Sequence, residues 1–314
     1  MNIKTLSKLL VLGVMSLCFV ACEEEDKMTS SIFIDSELDP NSATYELDYW
    51  LDQTFKKTYN LSFRYRMKDT EVNMNYNLSP MRLELVEDMI RLIDYLWLDV
   101  YTQKVGPEFL KENGPRIIQL VGSVAWNIST RTQVQGTAEG GIKVTLYGCN
   151  ELNFADPKKM NDYYFITMHH EFCHILHQKK TYPQDFQFIS AGNYDPLSWD
   201  LRTDEEARSL GFVSPYGSSD PHEDFVETFA RYLVMTDAEW GALLEMASKP
   251  GTDYYTGAIL PDDGVDGRAT ILRKLDMVMT WCKNSWNIDV EELRKEILKR
   301  QAAVASTGGV PNYN

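Results

Sequence analysis

Basic residues are in short supply in this chain: 31 Lys and Arg stand against 46 Asp and Glu, a formal charge of −15. A surface this acidic argues against a nucleic-acid partner held by phosphate contacts, and it suits solubility outside the cell. No internal repeat runs along the sequence. No apolar stretch reaches the roughly 20 residues that cross a bilayer. The longest, 12 residues from Leu9 to Val20, follows Lys4 and Lys8 and ends at Ala21-Cys22. That pattern reads as an export signal rather than an anchor helix, so residues 1–21 are expected to be removed, which takes the charge to −17. Cysteine is also scarce. With Cys18 and Cys22 in the leader region, only Cys149, Cys173 and Cys282 remain in the folded part, an odd number that admits at most one bridge and no disulfide framework.

The junction Phe19-Val20-Ala21-Cys22 resembles a lipobox, with Cys22 as the acylated first residue of the mature chain, although Phe19 stands where Leu is usual. The acidic run Glu23-Glu24-Glu25-Asp26 behind it resembles the surface-export signal of some bacterial lipoproteins. The expected location is therefore the outer membrane, facing outward, held by a lipid on Cys22. The expected organisation is a signal peptide over 1–21, a lipid-anchored tether over 22–40, one domain over 41–304 and a loose tail over 305–314. About 270 residues is ample for a large core and close to the ceiling for a single domain.

Histidine is rare too, five in all, yet four of them fall within the nine residues His169-His170-Glu171-Phe172-Cys173-His174-Ile175-Leu176-His177. His170-Glu171-x-x-His174 is an H-E-x-x-H pattern, which on a helix stacks two imidazoles one turn apart. Asp156-Pro157 supplies a carboxylate cap and a ring preset for a first turn, and apolar residues recur at three- and four-residue spacing to Leu176. One long helix over 157–178 is expected, with His170 and His174 on one face. Neither His169 nor His177 lies on that face, and with His222 they read as structural or supporting residues. Two imidazoles at this spacing fit a divalent zinc ion.

A catalytic zinc takes three protein ligands and leaves a position for water, so a carboxylate must come from elsewhere in the chain. Downstream, Asp220-Pro221 opens a second helix in which Glu223 and Glu227 stand one turn apart on one face. One can be ligand and the other its support. If Glu223 only answers the helix dipole, Glu227 is the ligand.

The pairing of His170-Glu171-x-x-His174 with Tyr216-Gly-x(5)-Glu223-x-x-x-Glu227-x-Phe resembles the gluzincin peptidases of the anthrax lethal factor and Pro-Pro endopeptidase clan. It is closer still to a family of bacterial lipoproteins described as zinc-binding metallopeptidases. The shared pattern spans about 160–235. It implies Glu223 as third zinc ligand, Glu227 as support for a ligand, and Tyr216 as a stabiliser of the transition state. The chain departs from the metzincin pattern, with His177 at the Gly position and Lys180 at the final His. It lacks the distant acid-base histidine of thermolysin-type enzymes.

The resemblance implies a zinc-dependent endopeptidase of extracellular proteins, with Glu171 as general base on a zinc-activated water. The alternative is a non-catalytic surface lipoprotein that captures glycan or peptide on a peptidase-like fold. An uncoordinated Glu171 between two ligands favours the enzyme. The expected fold is α+β and zincin-like, with a small twisted sheet packed on the active-site helix and a mainly helical C-terminal part. Helices are expected near 43–57, 80–104, 237–247, 267–284 and 289–304, and strands near 59–67, 117–121 and 140–148. In the gluzincin architecture the last of these strands lies at the cleft and pairs with an extended substrate.

Overall fold

The computed structural model describes residues 38–68, 76–127, 132–134, 136–139 and 142–312. The expected signal peptide and Cys22 lie outside them. The chain divides into two units, Met1–Asp48 and Tyr49–Asn314. The described part of the first is a run of turns over 38–44 followed by helical residues 45–48.

The second unit mixes a small amount of sheet with predominantly helical structure. Its strands are β1 (Ser62–Arg64), β2 (Ile117–Leu120), β3 (Ala125–Asn127), β4 (Thr132–Val134), β5 (Gly136–Glu139) and β6 (Lys143–Leu146). Four of them form one sheet in the order β1-β2-β6-β5, with the first three parallel and β5 antiparallel at the edge. Buried runs such as Ile118-Gln-Leu120 and Val144-Thr-Leu146 are what strands covered on both faces require. β3 and β4 pair separately. The strand expected to meet a substrate, β6, is hydrogen-bonded on both sides, so it has no free edge to offer. The edge on that side of the sheet belongs to β5, with β1 at the other, and the polar sequence around Thr137 conceals it.

From residue 147 onward the described chain has no strand beyond an isolated Thr252–Ile259 bridge. Four helices matter here: α1 (Ile166–Lys179), α2 (Pro221–Val234), α3 (Gly267–Trp286) and α4 (Val290–Thr307). The helix expected over 157–178 is continuous in path but not in type, since Pro157–Met160 passes through a π turn at Asn161–Phe165 before α1. Asp156 caps its start by accepting from the Lys159 amide at 2.9 Å. Asp220, Asp266 and Asp289 cap α2, α3 and α4 in the same way, each cap contributing about 1 kcal/mol. The expected loose tail starts later than residue 305, because α4 runs on to Thr307 and stops at Gly308, whose φ of 67° is the left-handed ending that glycine permits.

The two motif helices lie side by side across the core. Phe172 on α1 packs edge-on against Trp97 and Tyr101, and Phe225 on α2 packs against Trp281 of α3. Each fully buried aromatic of this kind is worth roughly 1.5–3 kcal/mol in transfer free energy. β5 approaches α1 closely. A Cβ on Gly136 would fall 2.2 Å from the Thr167 methyl, so glycine is what lets the edge strand sit against the motif helix.

Candidate metal centre

Capping fixes where α2 begins. The Asp220 carboxylate accepts from the amides of His222 at 2.7 Å and Glu223 at 3.3 Å, which places Glu223 in the first turn, facing α1. The Nε2 atoms of His170 and His174 are 3.2 Å apart, and Glu223 Oε2 lies 3.0 Å from the first and 3.4 Å from the second. Among the described residues these three form the one group of His, Cys, Asp or Glu whose donor atoms converge tightly enough to share an ion. Tetrahedral zinc with bonds of about 2.0–2.1 Å separates its ligand atoms by about 3.3–3.4 Å. The observed triangle has nearly that size.

Proton placement strengthens the fit. His170 Nδ1 lies 2.9 Å from Glu227 Oε1, a carboxylate oxygen that can only accept, so Nδ1 carries the proton and a neutral ring presents its Nε2 lone pair to Glu223. Glu223 Oε2 is buried with no hydrogen-bond donor. Lone pairs meeting at these distances repel unless a cation lies among them. Protons are the competing cation. Burial works against a charged His170, but the carboxylates of Glu223 and Glu227 outweigh it and raise the pKa to about 10. Burial would raise Glu223, yet His170 and His174 push it down to about 2.

Glu227 lies on the other side of His170 from Glu223, one helical turn along α2, so the imidazole sits between the two carboxylates. Its Oε2 accepts from Ser214 Oγ and Arg231 Nε, both at 2.6 Å, and the residue is 3% exposed. Both of its oxygens are taken up and neither faces the donor triangle.

Glu171 is outside the converging group and half-buried. Burial raises its pKa, the neighbouring carboxylates Glu223 and Glu227 add to the rise, and His170 and His174 oppose it. Tyr216 lies in the turn just before α2, with its ring stacked 5.9 Å from His170 and edge-on to Trp199 at 4.9 Å. Burial and then the charge of Glu223 raise its pKa, so the phenol keeps its proton and remains a donor.

The other histidines lie outside the triangle, His169 and His177 on the faces of α1 that the helical wheel assigned to them. His169 is fully buried beside Tyr101 OH, 3.1 Å from its Nδ1, and burial lowers its pKa to about 3. His177 stands 2.9 Å behind His174, and His222 stacks on His177 at 5.2 Å. Cys149, Cys173 and Cys282 are free and buried. Ser214, Arg231 and Trp199 were not singled out from sequence. Arg231 could have been found, since it stands four residues after Glu227 on the same helix face. Nothing in the sequence marks Ser214 or Trp199.

A donor set of two imidazoles and a carboxylate, with a further Glu one residue from the first imidazole and outside the set, is suited to activating a water molecule. The family described as "putative zinc-binding metallo-peptidase" matches residues 40–291 of this chain. The crystal structure of a putative zinc-binding metallo-peptidase from Bacteroides caccae ATCC 43185 is similar to 88% of this chain and 96% of that one, with 35% identity and a TM-score of 0.68. No curated protein matches the chain.

Proposed function

The chain belongs to the putative zinc-binding metallo-peptidase family, and from that premise we propose that it is a zinc-dependent endopeptidase of gluzincin type acting on extracellular protein. The observation that carries the reading is the donor triangle, in which His170, His174 and the orphaned Glu223 Oε2 converge at 3.0–3.4 Å. In this reading those three residues hold the ion. Glu227, backed by Ser214 and Arg231, keeps the His170 ring in its ligating tautomer.

Zinc bound there supplies a Lewis acid that polarises a carbonyl and lowers the pKa of water towards about 7. The protein's own residues do the rest. Glu171, uncoordinated and with its pKa raised by burial, takes the proton of the attacking water and passes it to the leaving amine. Tyr216, still protonated, donates its hydroxyl to the carbonyl oxygen as that oxygen gains charge. β5, the antiparallel edge strand packed on α1, is where an extended peptide would add by backbone hydrogen bonding.

The location is part of the same proposal: an outer-membrane lipoprotein held by Cys22 and facing outward. Among the described residues no helix is long and apolar enough to cross a membrane. The deciding experiment is elemental analysis of protein purified without added metal, beside His174→Ala, followed by a peptide-library digest with wild type and Glu171→Gln. Near-stoichiometric zinc lost in His174→Ala, with cleavage lost in Glu171→Gln, supports the enzyme. Zinc bound with no cleavage of any peptide points to a capture protein on the same fold. Protein that takes up no zinc even on reconstitution defeats both the metal assignment and the peptidase.

A further inference from the structure

The two imidazoles of the donor triangle are backed differently. Behind His170 Nδ1 stands a carboxylate, Glu227, itself tied to Ser214 and Arg231. Behind His174 Nδ1 stands another imidazole, with His177 Nε2 at 2.9 Å. The spacing makes this possible, since residues three apart on a helix are surface neighbours and His177 follows His174 by one turn of α1.

The tautomers follow from the geometry. His174 points Nε2 at His170 Nε2 and Glu223 Oε2, at 3.2 and 3.4 Å, so in a metal site its lone pair is there and its proton is on Nδ1. That proton needs an acceptor. The atom within reach is His177 Nε2, which must then present its own lone pair and carry its proton on Nδ1.

His177 is held for this task. Its ring stacks parallel on His222 at 5.2 Å and meets Tyr182 edge-on at 5.5 Å. The Tyr182 hydroxyl is 2.9 Å from His222 Nδ1, and its ring stacks on Phe225 at 4.2 Å. Tyr182 comes from the loop after α1, and His222 and Phe225 come from α2, so a loop and a neighbouring helix fix the orientation of one ring.

We propose that His177 is a positioning residue for the metal centre, accepting the Nδ1 proton of His174 and thereby fixing the tautomer and the rotation of that ligand. The inference rests on the zinc reading above. It also gives His177 a role: it is not a third ligand, yet it shapes the second one. Because the acceptor is neutral where that of His170 is a carboxylate, His174 is the less basic of the two imidazole ligands.

The test is a pair of amide substitutions that differ only in reach. In His177→Gln the amide oxygen can occupy the Nε2 position and accept from His174, whereas in His177→Asn it stops near the Nδ1 position. Zinc affinity of the full chain is measured by competition with a chromophoric chelator, and the melting of metal-free protein checks folding. His177→Asn should bind zinc about 10–100-fold more weakly while His177→Gln stays within about threefold of wild type, with metal-free melting alike in both. Equal affinity in wild type and His177→Asn overturns the proposal. So does equal loss in Asn and Gln, because packing and not hydrogen-bond acceptance would then be the cause. Wild-type protein that binds no zinc fails one step earlier, at the metal site itself, and is distinguishable on that ground.

Discussion

The division of labour between Glu223 and Glu227 can be tested by how zinc changes stability in two single variants. Glu223 Oε2 faces the two Nε2 atoms at 3.0 and 3.4 Å and has no donor, while Glu227 is tied to His170, Ser214 and Arg231. At free zinc 100 times the wild-type Kd, bound metal stabilises the fold by about 2.7 kcal/mol. Glu227→Gln keeps an oxygen for His170 but loses the charge behind it, so affinity should fall about 10–100-fold and the zinc-induced stabilisation to about 1.4–0.4 kcal/mol. The same change weakens charge-assisted bonds to Arg231 and Ser214, so metal-free protein should also lose roughly 1.5–3 kcal/mol. Glu223→Gln should do the reverse. Zinc-induced stabilisation should be smaller than in Glu227→Gln, and metal-free stability should change less, because the Glu227 network is untouched. Denaturant titrations with and without zinc give both quantities. If Glu223→Gln keeps its zinc-induced stabilisation and Glu227→Gln loses it entirely, the ligand is Glu227 and the geometric argument is wrong.

Tyr216→Phe should slow kcat about 10²-fold or more, the loss of a donor worth roughly 3 kcal/mol in the transition state, with zinc content unchanged; unaltered turnover would remove Tyr216 from the chemistry. His169 has a folded pKa of about 3 against 6.5 in the unfolded chain. Its contribution is therefore intact above pH 6.5 and is lost as pH falls towards 3, amounting to about 2 kcal/mol at pH 5. His169→Phe should flatten the fall in unfolding free energy between pH 7 and 5, and an identical fall in the variant would refute the assignment. Gly136→Ala puts a Cβ 2.2 Å from the Thr167 methyl and 2.8 Å from the Thr145 carbonyl oxygen, an overpacking that should cost roughly 1–3 kcal/mol. An unchanged thermal midpoint would mean that β5 does not press on α1 as described.

The parts of this molecule that could be read from sequence are those where one signal decides. Asp156-Pro157 and Asp220-Pro221 each cap a helix start, and the apolar period behind the first carried the helical path to residue 178, one short of the end of α1. The π turn at Asn161–Phe165 takes up one extra residue within a helix that otherwise keeps its apolar face, and no residue type in Asn161-Asp-Tyr-Tyr-Phe165 marks it. β3, β4 and β5 are three or four residues long and built from segments such as Thr132-Gln-Val134 and Gly136-Thr-Ala-Glu139, whose stability comes from neighbouring strands and not from apolar alternation. The placement of β5 outside β6 is likewise tertiary information, and it moves the free sheet edge by one strand. In the site, i,i+4 spacing put Glu223 and Glu227 on one face but could not rank them. What separates them is their surroundings, since Ser214, 13 residues upstream of Glu227, and Arg231, one turn beyond it, both bond Glu227, while Glu223 Oε2 faces the two imidazoles.

The charge around the triangle suits a divalent ion. Besides the capping Asp220, four acids fall within the facing segments of the two helices: Glu171, Glu223, Asp224 and Glu227. Asp224 is neutralised by Lys274 at 2.7 Å, with both side chains fully buried, and receives a further hydrogen bond from Tyr194 OH at 2.8 Å. Glu227 is neutralised by Arg231 at 2.6 Å. Among the described residues neither Glu223 nor Glu171 has a Lys or Arg partner, and Glu223 faces only the imidazoles of His170 and His174. With both imidazoles of the triangle neutral, the centre is left with two negative charges, one aimed into the donor triangle and one just outside it. Buried charge of that size demands compensation. One divalent cation supplies it and gives the orphaned Glu223 Oε2 a partner, whereas protons would do so only by occupying the nitrogen lone pairs that make the triangle a ligand set.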